Sequence, residues 1–312
     1  MNEDETDNGR NQAAWFAYFE LVRLPNVFTA MADVAMGFLY VCVLSNAAVL
    51  TPVLLVVASS LLYMSGMVLN DVFDVETDRR ERPERPLPSG RISLGAARWL
   101  GWELWVLGLA VAWTVAFREG TLRPGIVASI LAGTIVLYDA WLKRTPLGPL
   151  AMGTCRGLNV LLGMSVAAVP WATEHWLIAG GIGTYITGVT WFARTEAHRS
   201  RQVSLALALV VLLAGVGLLA WFPSFRTAAD PVLLRQWHWL IGILGLLIAW
   251  PCLRAVLDPG PIRVQMAVRQ CILSLVILDA SVCYVARGMF WATMIVLLLL
   301  PALLFGRWLD ST

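Results

Sequence analysis

Long runs of apolar residues alternate with short polar segments along the whole chain. An α-helix needs about 20 mostly apolar residues to cross the hydrocarbon core of a bilayer. Runs that reach or approach this length predict membrane-spanning helices at Val27–Ser45, Val49–Leu69, Trp99–Phe117, Gly125–Leu142, Leu147–Val169, Trp176–Ala193, Val203–Phe222, His238–Val256, Gln265–Val285 and Met289–Phe305. Because only Ala286–Gly288 separates the last two runs, the pattern is compatible with nine or ten helices.

This pattern predicts an all-α fold, a polytopic transmembrane helical bundle, because a helix satisfies its backbone hydrogen bonds within the segment. The runs are also far longer than the strands of a membrane barrel, which have about 9–11 residues. Residues 1–12 are acidic and polar and lack the features of a signal peptide, so we expect a flexible cytoplasmic tail. Residues 13–312 are expected to form a single transmembrane domain.

The composition excludes several classes of protein. Hydrophobic residues make up 58% of the chain and charged residues 14%, whereas soluble domains carry about 25% charged residues. A soluble enzyme and a disordered chain are therefore excluded, and a net charge of +2 gives no reason to expect a nucleic-acid partner. The five cysteines are odd in number and form no CxxC motif, which argues against a disulfide framework or a zinc site.

The positive charges are distributed unequally between the two sides of the predicted bundle. Seventeen of the 23 Lys and Arg residues lie in the N-terminal tail or in loops and helix ends on the same side, and five lie on the opposite side. Cytoplasmic loops are enriched in Lys and Arg. We therefore expect a multi-pass protein of the cell inner membrane whose most charged loops face the cytoplasm.

The most charged stretch follows the second predicted helix and contains four polar residues at helical spacing. Asn70, Asp74 and Asp78 are four residues apart, and Asp71 is adjacent. If the helix continues past Leu69, these side chains project from one face. Carboxylates in this arrangement suit Mg²⁺, which takes one or two of them together with phosphate oxygens. The alternative is a solvated acidic helix end that forms ion pairs with the arginines that follow it.

Three prolines and two arginines follow the acidic residues. Pro83, Pro86 and Pro88 are expected to end the helix and form a stiff turn. Arg85 and Arg91 would then return toward the acidic stripe. Acidic and arginine side chains together at a membrane surface are typical of a diphosphate site, because guanidinium groups bind phosphates in a bidentate manner.

Three stretches carry a family resemblance. NDVFDVETDRRERPERPLPSGRIS, which begins at Asn70, resembles the first Asp-rich motif of the UbiA superfamily of intramembrane prenyltransferases. Leu21–Gly37 and Tyr138–Pro149 are also similar to stretches of this family, and the resemblance covers most of the chain. It implies a UbiA-like bundle that transfers a prenyl group from an allylic prenyl diphosphate to an aromatic or other lipophilic acceptor, with Mg²⁺ as cofactor.

The resemblance and the charge pattern together give a set of candidate site residues. The candidate catalytic residues are Asp71, Asp74, Asp78, Lys143 and Tyr138. The candidate substrate-binding residues are Asn70, Arg85, Arg91, Asn159 and Arg194. The candidate Mg²⁺ ligands are Asp71, Asp74, Asp78 and Glu196.

The second acidic motif of the family is reduced in this chain. It usually presents two aspartates four residues apart, whereas this chain has Glu196 and Ser200 at those positions. Glu196 is able to hold a metal ion, but Ser200 is a weak ligand and Arg199 opposes a nearby cation, so one Mg²⁺ is better supported than two. This stretch resembles a divergent EboC-like branch of the superfamily, and the neighbouring His198 is expected to be solvated.

Two other function classes remain open. One is a non-catalytic or transport-associated membrane protein with the UbiA fold, because a fold does not fix a function. The other is a proton- or ion-coupled transporter in which Asp33, Glu103, Arg156 and Asp279 form a relay. These four residues lie within predicted helices, where charge is costly in lipid. We therefore expect them to face the interior, with Arg156 paired to Asp33 or Asp279.

Overall fold

The computed structural model describes residues 15–42, 49–194, 202–226 and 231–309, which form eleven α-helices and contain no β-strand. The helices are α1 Leu24–Val41, α2 Leu50–Glu81, α3 Leu94–Glu119, α4 Arg123–Ala140, α5 Gly148–Met164, α6 Thr173–Ala193, α7 Gln202–Trp221, α8 Pro231–Leu257, α9 Pro261–Arg287, α10 Met289–Val296 and α11 Leu299–Leu309. A further helical stretch at 15–21 precedes α1. The predicted all-α fold is confirmed, and the tail predicted at 1–12 lies outside the described residues.

Eight of the described helical segments are long and apolar enough to cross a membrane, so the protein is an integral multi-pass membrane protein. Helix α6 also traverses the bundle. Its first turn places the His175 ring 5.4 Å from that of Tyr40 at the end of α1, and Arg194 at its other end donates a hydrogen bond to the carbonyl oxygen of Thr145, beyond α4. Helix α5 runs between these same two sides. The end of the bundle at which α2 finishes is called the acidic end below.

The last hydrophobic segment returns across the bundle. Nε of Arg287, at the end of α9, donates a hydrogen bond of 2.6 Å to the carbonyl oxygen of Leu39 near the end of α1. The ring of Phe305 stacks on that of Phe28 near the start of α1, with centroids 6.1 Å apart. The segment Met289–Gly306 therefore runs antiparallel to α1 over nearly its whole length. This geometry favours ten passages across the bundle rather than nine.

Helix boundaries follow from the residues at them. Prolines occupy the first turns of α1, α4, α5 and α9, where the missing N–H removes no helical hydrogen bond. Helix α3 begins after Ser93, whose hydroxyl accepts a hydrogen bond from the N–H of Ala96, and ends at Gly120, which has a φ of 65°. Helix α2 extends twelve residues past Leu69, to Glu81. The acidic stretch is therefore part of a continuous helix.

Glycines allow the central helices to approach closely. A Cβ atom on Gly37 of α1 would overlap the carbonyl oxygen of Val160 on α5, and one on Gly163 of α5 would overlap the carbonyl oxygen of Val34 on α1. Gly153 plays the same part between α5 and α6. Small residues at such crossings let backbones pack tightly where lipid provides no hydrophobic driving force between helices.

A buried polar network lies between α1 and α5. Arg156 donates hydrogen bonds of 2.7 Å to a carboxylate oxygen of Asp33 and to the hydroxyl of Thr29. The amide of Asn159 donates to the same Asp33 oxygen at 3.2 Å, and Asp279 of α9 lies beside Asp33. Of the two partners predicted for Arg156, Asp33 is therefore the one that it contacts.

One ionisable residue does not face the interior. The prediction is correct for Asp33 and Asp279, which are fully buried, but wrong for Glu103, which is exposed on the outer surface of α3. Glu103 lies only about two and a half turns from the start of α3 and follows the exposed Trp102. A flexible side chain at this depth is able to extend toward the polar headgroup region, where an acid needs no buried partner.

Candidate functional site

The acidic end of α2 is joined to the loop after α4 by ion pairs. Nζ of Lys143 lies 2.6 Å from a carboxylate oxygen of Asp74 and donates a longer hydrogen bond, of 3.3 Å, to the carbonyl oxygen of Asn70. Arg144 contacts the other oxygen of Asp74 at 3.3 Å. Two stretches that are about 70 residues apart in the sequence thus form one site.

The other two predicted aspartates share a single arginine. Nη1 of Arg85 lies 2.8 Å from Asp78 and 3.5 Å from Asp71, so one positively charged nitrogen stands between the two carboxylates. Asp71 also accepts a hydrogen bond of 3.3 Å from Arg23, which precedes α1. The turn after α2 therefore returns Arg85 to the acidic stripe, as predicted. Arg91, which was also predicted to return there, pairs with Glu20 instead.

Burial explains why these carboxylates require cations. Asp71 and Asp78 are each only 5% exposed, and the side chain of Asp74 is 25% exposed. An unpaired charge in such surroundings costs several kcal/mol. Each of the three aspartates therefore depends on neighbouring positive groups, and a ligand that displaces those groups has to supply positive charge in their place.

Asp139 is a site residue that the sequence reasoning did not single out. Its Oδ1 accepts a hydrogen bond of 2.8 Å from the amide of Asn70. The residue is only 2% exposed, and its Oδ2 has no hydrogen-bond partner in the described part of the chain. The sequence spacing could have indicated this residue, because Asp139 follows Tyr138 and lies four residues, about one helical turn, before Lys143.

Tyr138 lies on the last turn of α4, beside this cluster. The charged groups near its hydroxyl include Asp139, Arg23 and Asp74. Tyr138 is partly buried, and these charged groups lie within electrostatic range of its hydroxyl.

Two predicted substrate-binding arginines contact protein groups. Arg194 donates to the carbonyl oxygens of Thr145 at 2.7 Å and Lys143 at 3.3 Å, and so anchors the loop that carries the lysine. Arg91 lies 2.8 Å from a carboxylate oxygen of Glu20 and also donates to the carbonyl oxygen of Glu84. Both arginines fix the backbone that surrounds the site.

The remaining predicted residues fall in two places. Asn159 belongs to the buried network around Arg156 and accepts a hydrogen bond of 2.7 Å from Ser59. Glu196, with the neighbouring stretch that replaces the second acidic motif, lies outside the described residues.

Arg23 and Arg144 also escaped the sequence reasoning. Arg23 has a φ of 49° and is the one non-glycine residue with positive φ in the described segments. This conformation costs an L-residue about 1–2 kcal/mol. Arg23 lies between the helical stretch at 15–21 and α1, and its side chain contacts Asp71. The hydrophobic pattern of the helices does not predict this contact.

The donor set at Asp71 and Asp78 fits a hard divalent cation. Mg²⁺ prefers oxygen ligands and is usually held by one or two carboxylates together with substrate phosphates and water. Nη1 of Arg85 already occupies the space between the two carboxylates, so this space accommodates a positive charge. Across the described ranges, no three acidic, histidine or cysteine side chains converge on one point. Oxygens from a phosphate ligand, from water or from residues outside these ranges would complete the coordination.

Comparison with known proteins gives a family match over most of the chain. Residues 30–258 match a model of the UbiA prenyltransferase family. The chain is 31% identical over 165 residues to the digeranylgeranylglyceryl phosphate synthase of Saccharolobus solfataricus, covering 52% of this chain and 54% of that protein. It is 35% identical over 156 residues to the protein of that name from Methanoculleus marisnigri, covering 49% and 52%. The chain thus spans about half the length of these curated relatives.

A solved structure supports the same architecture. A UbiA homologue from Archaeoglobus fulgidus bound to GPP and Mg²⁺ is similar with a TM-score of 0.69, covering 90% of this chain and 99% of that one. The sequence identity is 13%, so this likeness concerns the fold.

Proposed function

The chain belongs to the UbiA prenyltransferase family, and we propose that it is an intramembrane prenyltransferase that uses an allylic prenyl diphosphate as donor. The supporting observation is the cluster at the acidic end, where Asp71, Asp74 and Asp78 meet four cationic side chains. The guanidinium groups of arginine and the ammonium group of lysine bind phosphate oxygens, so these side chains suit a diphosphate.

In this proposal the diphosphate replaces the aspartates as the partner of the basic residues. Asp71 and Asp78 would hold Mg²⁺, together with Asp74 and with Glu196 from the second motif. Bound Mg²⁺ supplies Lewis-acid stabilisation of the negative charge that develops on the leaving diphosphate. Arg85 and Lys143, released from their carboxylates, would bind the diphosphate oxygens and stabilise the same charge.

The neighbouring residues would orient the donor and exclude water. The bond between the prenyl carbon and the diphosphate oxygen would break, and its electron pair would leave with the diphosphate. A nucleophilic atom of the acceptor would then form a bond to that carbon, and the proton that the acceptor loses would pass to the diphosphate or to solvent. The face of Tyr138 would stabilise the allylic cation by cation–π attraction. Exclusion of water by the bound donor and the surrounding helices would keep that cation from being quenched. Arg194 and Arg91 would act by fixing the surrounding loops, in keeping with their backbone contacts.

The acceptor is proposed to be an aromatic or other lipophilic molecule that reaches the site through the bilayer. The names of the two archaeal relatives favour a prenylated glyceryl phosphate as the first acceptor to assay. We place the site at the cytoplasmic face of the cell inner membrane because of the bias in positive residues.

The test is product formation by the purified full chain in lipid nanodiscs. Prenyl diphosphates of increasing length are offered with each acceptor class, with and without Mg²⁺, and products are identified by mass spectrometry. We expect Mg²⁺-dependent release of diphosphate and one prenylated product. Full activity in both Asp74→Ala and Asp78→Ala variants would remove this site from consideration. Metal-dependent binding of the donor without any product would favour the non-catalytic member of the fold.

A further inference from the structure

An apolar groove runs along the outer surface of the bundle between α8 and α9. Its volume is about 880 Å³, and it contains none of the residues of the candidate site. Leu246 is 72% exposed and Met266 58% exposed, so the described residues leave the groove open to lipid. The apolar lining consists of Ile243, Leu246, Leu247, Trp250, Pro251 and Met266.

A proline within α8 lines this groove. Pro251 has no N–H, so the carbonyl oxygen of Leu247 lacks its usual helical donor. The amide of Gln270 on α9 reaches across and donates to that carbonyl oxygen at 3.3 Å. On the inner side, the buried thiols of Cys252 and Cys271 are 3.5 Å apart. The two helices are thus packed on their inner faces and bridged by Gln270 at the groove.

The end of the groove nearest the α8–α9 turn is basic. The guanidinium group of Arg254 lies 4.7 Å from the ring centre of Trp250. Arg263 pairs with Asp258 at 2.6 Å, but both of these side chains are more than half exposed. Two arginines against one aspartate leave net positive charge at this end. Because α9 finishes beside the end of α1, the α8–α9 turn lies at the acidic end, the side predicted to be cytoplasmic.

We propose that this groove binds one anionic glycerophospholipid of the cytoplasmic leaflet. Its phosphate would lie between Arg254 and Arg263, where guanidinium groups make bidentate contacts, and one acyl chain would follow the apolar walls. Ile243 lies eleven residues before Arg254 on α8, which corresponds to about 16 Å of helix. This length matches half of a hydrocarbon core of about 30 Å. The groove therefore has the length of one leaflet's acyl chain, and its basic end is complementary to an anionic headgroup.

Lipid binding to the purified full chain tests this proposal. Native mass spectrometry compares phosphatidylglycerol with phosphatidylcholine of the same chain length, titrated into delipidated protein in detergent. We expect one phosphatidylglycerol to be retained more tightly than phosphatidylcholine. The double variant Arg254→Gln/Arg263→Gln should lower the affinity for phosphatidylglycerol about tenfold or more, because each arginine near the headgroups contributes to anionic lipid binding.

A matched pair of variants separates charge from shape. Arg80→Gln/Arg98→Gln removes two exposed charges from the same side of the bundle and should leave the retained lipid unchanged. Met266→Trp fills the groove, keeps the arginines and should lower binding of both lipids. Equal retention of the two lipids by the wild type, or unchanged retention in Arg254→Gln/Arg263→Gln, overturns the proposal. An oligomer that Met266→Trp dissociates also overturns it, because a second copy would then cover the groove.

Discussion

The ammonium nitrogen of Lys143 lies 2.6 Å from the carboxylate of Asp74, and this lysine is the only one in the chain. Its side chain is 10% exposed. An amine-reactive reagent should therefore modify the protein at Lys143 and, apart from that, only at the N-terminal amine. We expect a prenyl diphosphate with Mg²⁺ to slow modification of Lys143 at least tenfold, as it binds the amine. Peptide mass spectrometry separates the two positions, and equal rates with and without the donor would contradict a role in binding.

Replacing this lysine tests its part in the reaction. Lys143→Met keeps most of the side-chain volume but removes the charge that would stabilise the leaving diphosphate. We expect kcat/KM to fall about 100-fold or more, the size of effect seen when one charge-stabilising donor is lost. Steady-state release of diphosphate measures it. Lys143→Arg retains the charge and should recover part of the loss, whereas equal activity in all three proteins would exclude this role.

Two aspartates on α2 should behave differently from a third acid on the same helix. Asp71→Asn and Asp78→Asn each remove one of the two carboxylate charges beside Arg85. We expect each substitution to lower the Mg²⁺-dependent activity about 100-fold. Glu76 points away from them, pairs with Arg79 and is exposed. Glu76→Gln should therefore stay within about twofold of wild type, since exposed ion pairs contribute little. Mg²⁺ titrations of activity measure the difference.

The sequence indicated the acidic stripe and the return of Arg85, because both depend on helix period and on prolines within one short stretch. It did not indicate which distant cation each carboxylate meets. Arg23, which has a left-handed backbone conformation, donates a hydrogen bond to Asp71. Asn70 donates one to Asp139, which is 69 residues away in the sequence. Such pairs depend on how helices pack, which a pattern of single residues does not specify.

The hydropathy pattern also could not predict the direction in which Glu103 faces, because that direction depends on helix packing. The apolar run correctly predicted a membrane helix there, but the run is apolar all round and gives no direction for one acidic residue. Its exposure depends on which face of α3 packs against α2, and this is decided by small residues such as Gly101 and Gly108, each of which lies against a leucine of α2. The apolar composition therefore predicted that a membrane helix is present, whereas the face that this helix turns inward is determined by packing.

The contact between Asn70 and Asp139 predicts a specific change in stability. Asp139→Leu leaves the partly buried amide of Asn70 without its acceptor and should lower the free energy of unfolding by about 1–3 kcal/mol. Asp139→Asn keeps an oxygen that accepts this hydrogen bond and should be less destabilising. Unfolding of the detergent-solubilised protein followed by circular dichroism makes the comparison. If the asparagine and leucine variants unfold alike, the hydrogen bond is not what Asp139 contributes.

The buried pair of Arg156 and Asp33 should be costly to break from one side. Arg156→Met leaves a fully buried carboxylate without its cation, and we expect a loss of about 3–5 kcal/mol in unfolding free energy. Asp33→Asn in the same chain removes that unpaired charge, so the double variant should recover part of the loss. Additive effects of the two substitutions in unfolding measurements would show that the residues are not coupled.

The close crossing of α1 and α5 makes a prediction about single methyl groups. In Gly163→Ala the new Cβ overlaps the backbone of α1 at Val34, and backbone atoms do not move aside as the end of a side chain does. We expect a loss of about 1–3 kcal/mol in unfolding free energy, as for other overpacked sites. Gly133 of α4 has open space at the corresponding position, so Gly133→Ala adds the same methyl group without contact. Alanine favours helix over glycine by about 1 kcal/mol, and Gly133→Ala should therefore unfold no more easily than wild type. Equal destabilisation by both substitutions would mean that the glycine at the crossing is not needed for packing.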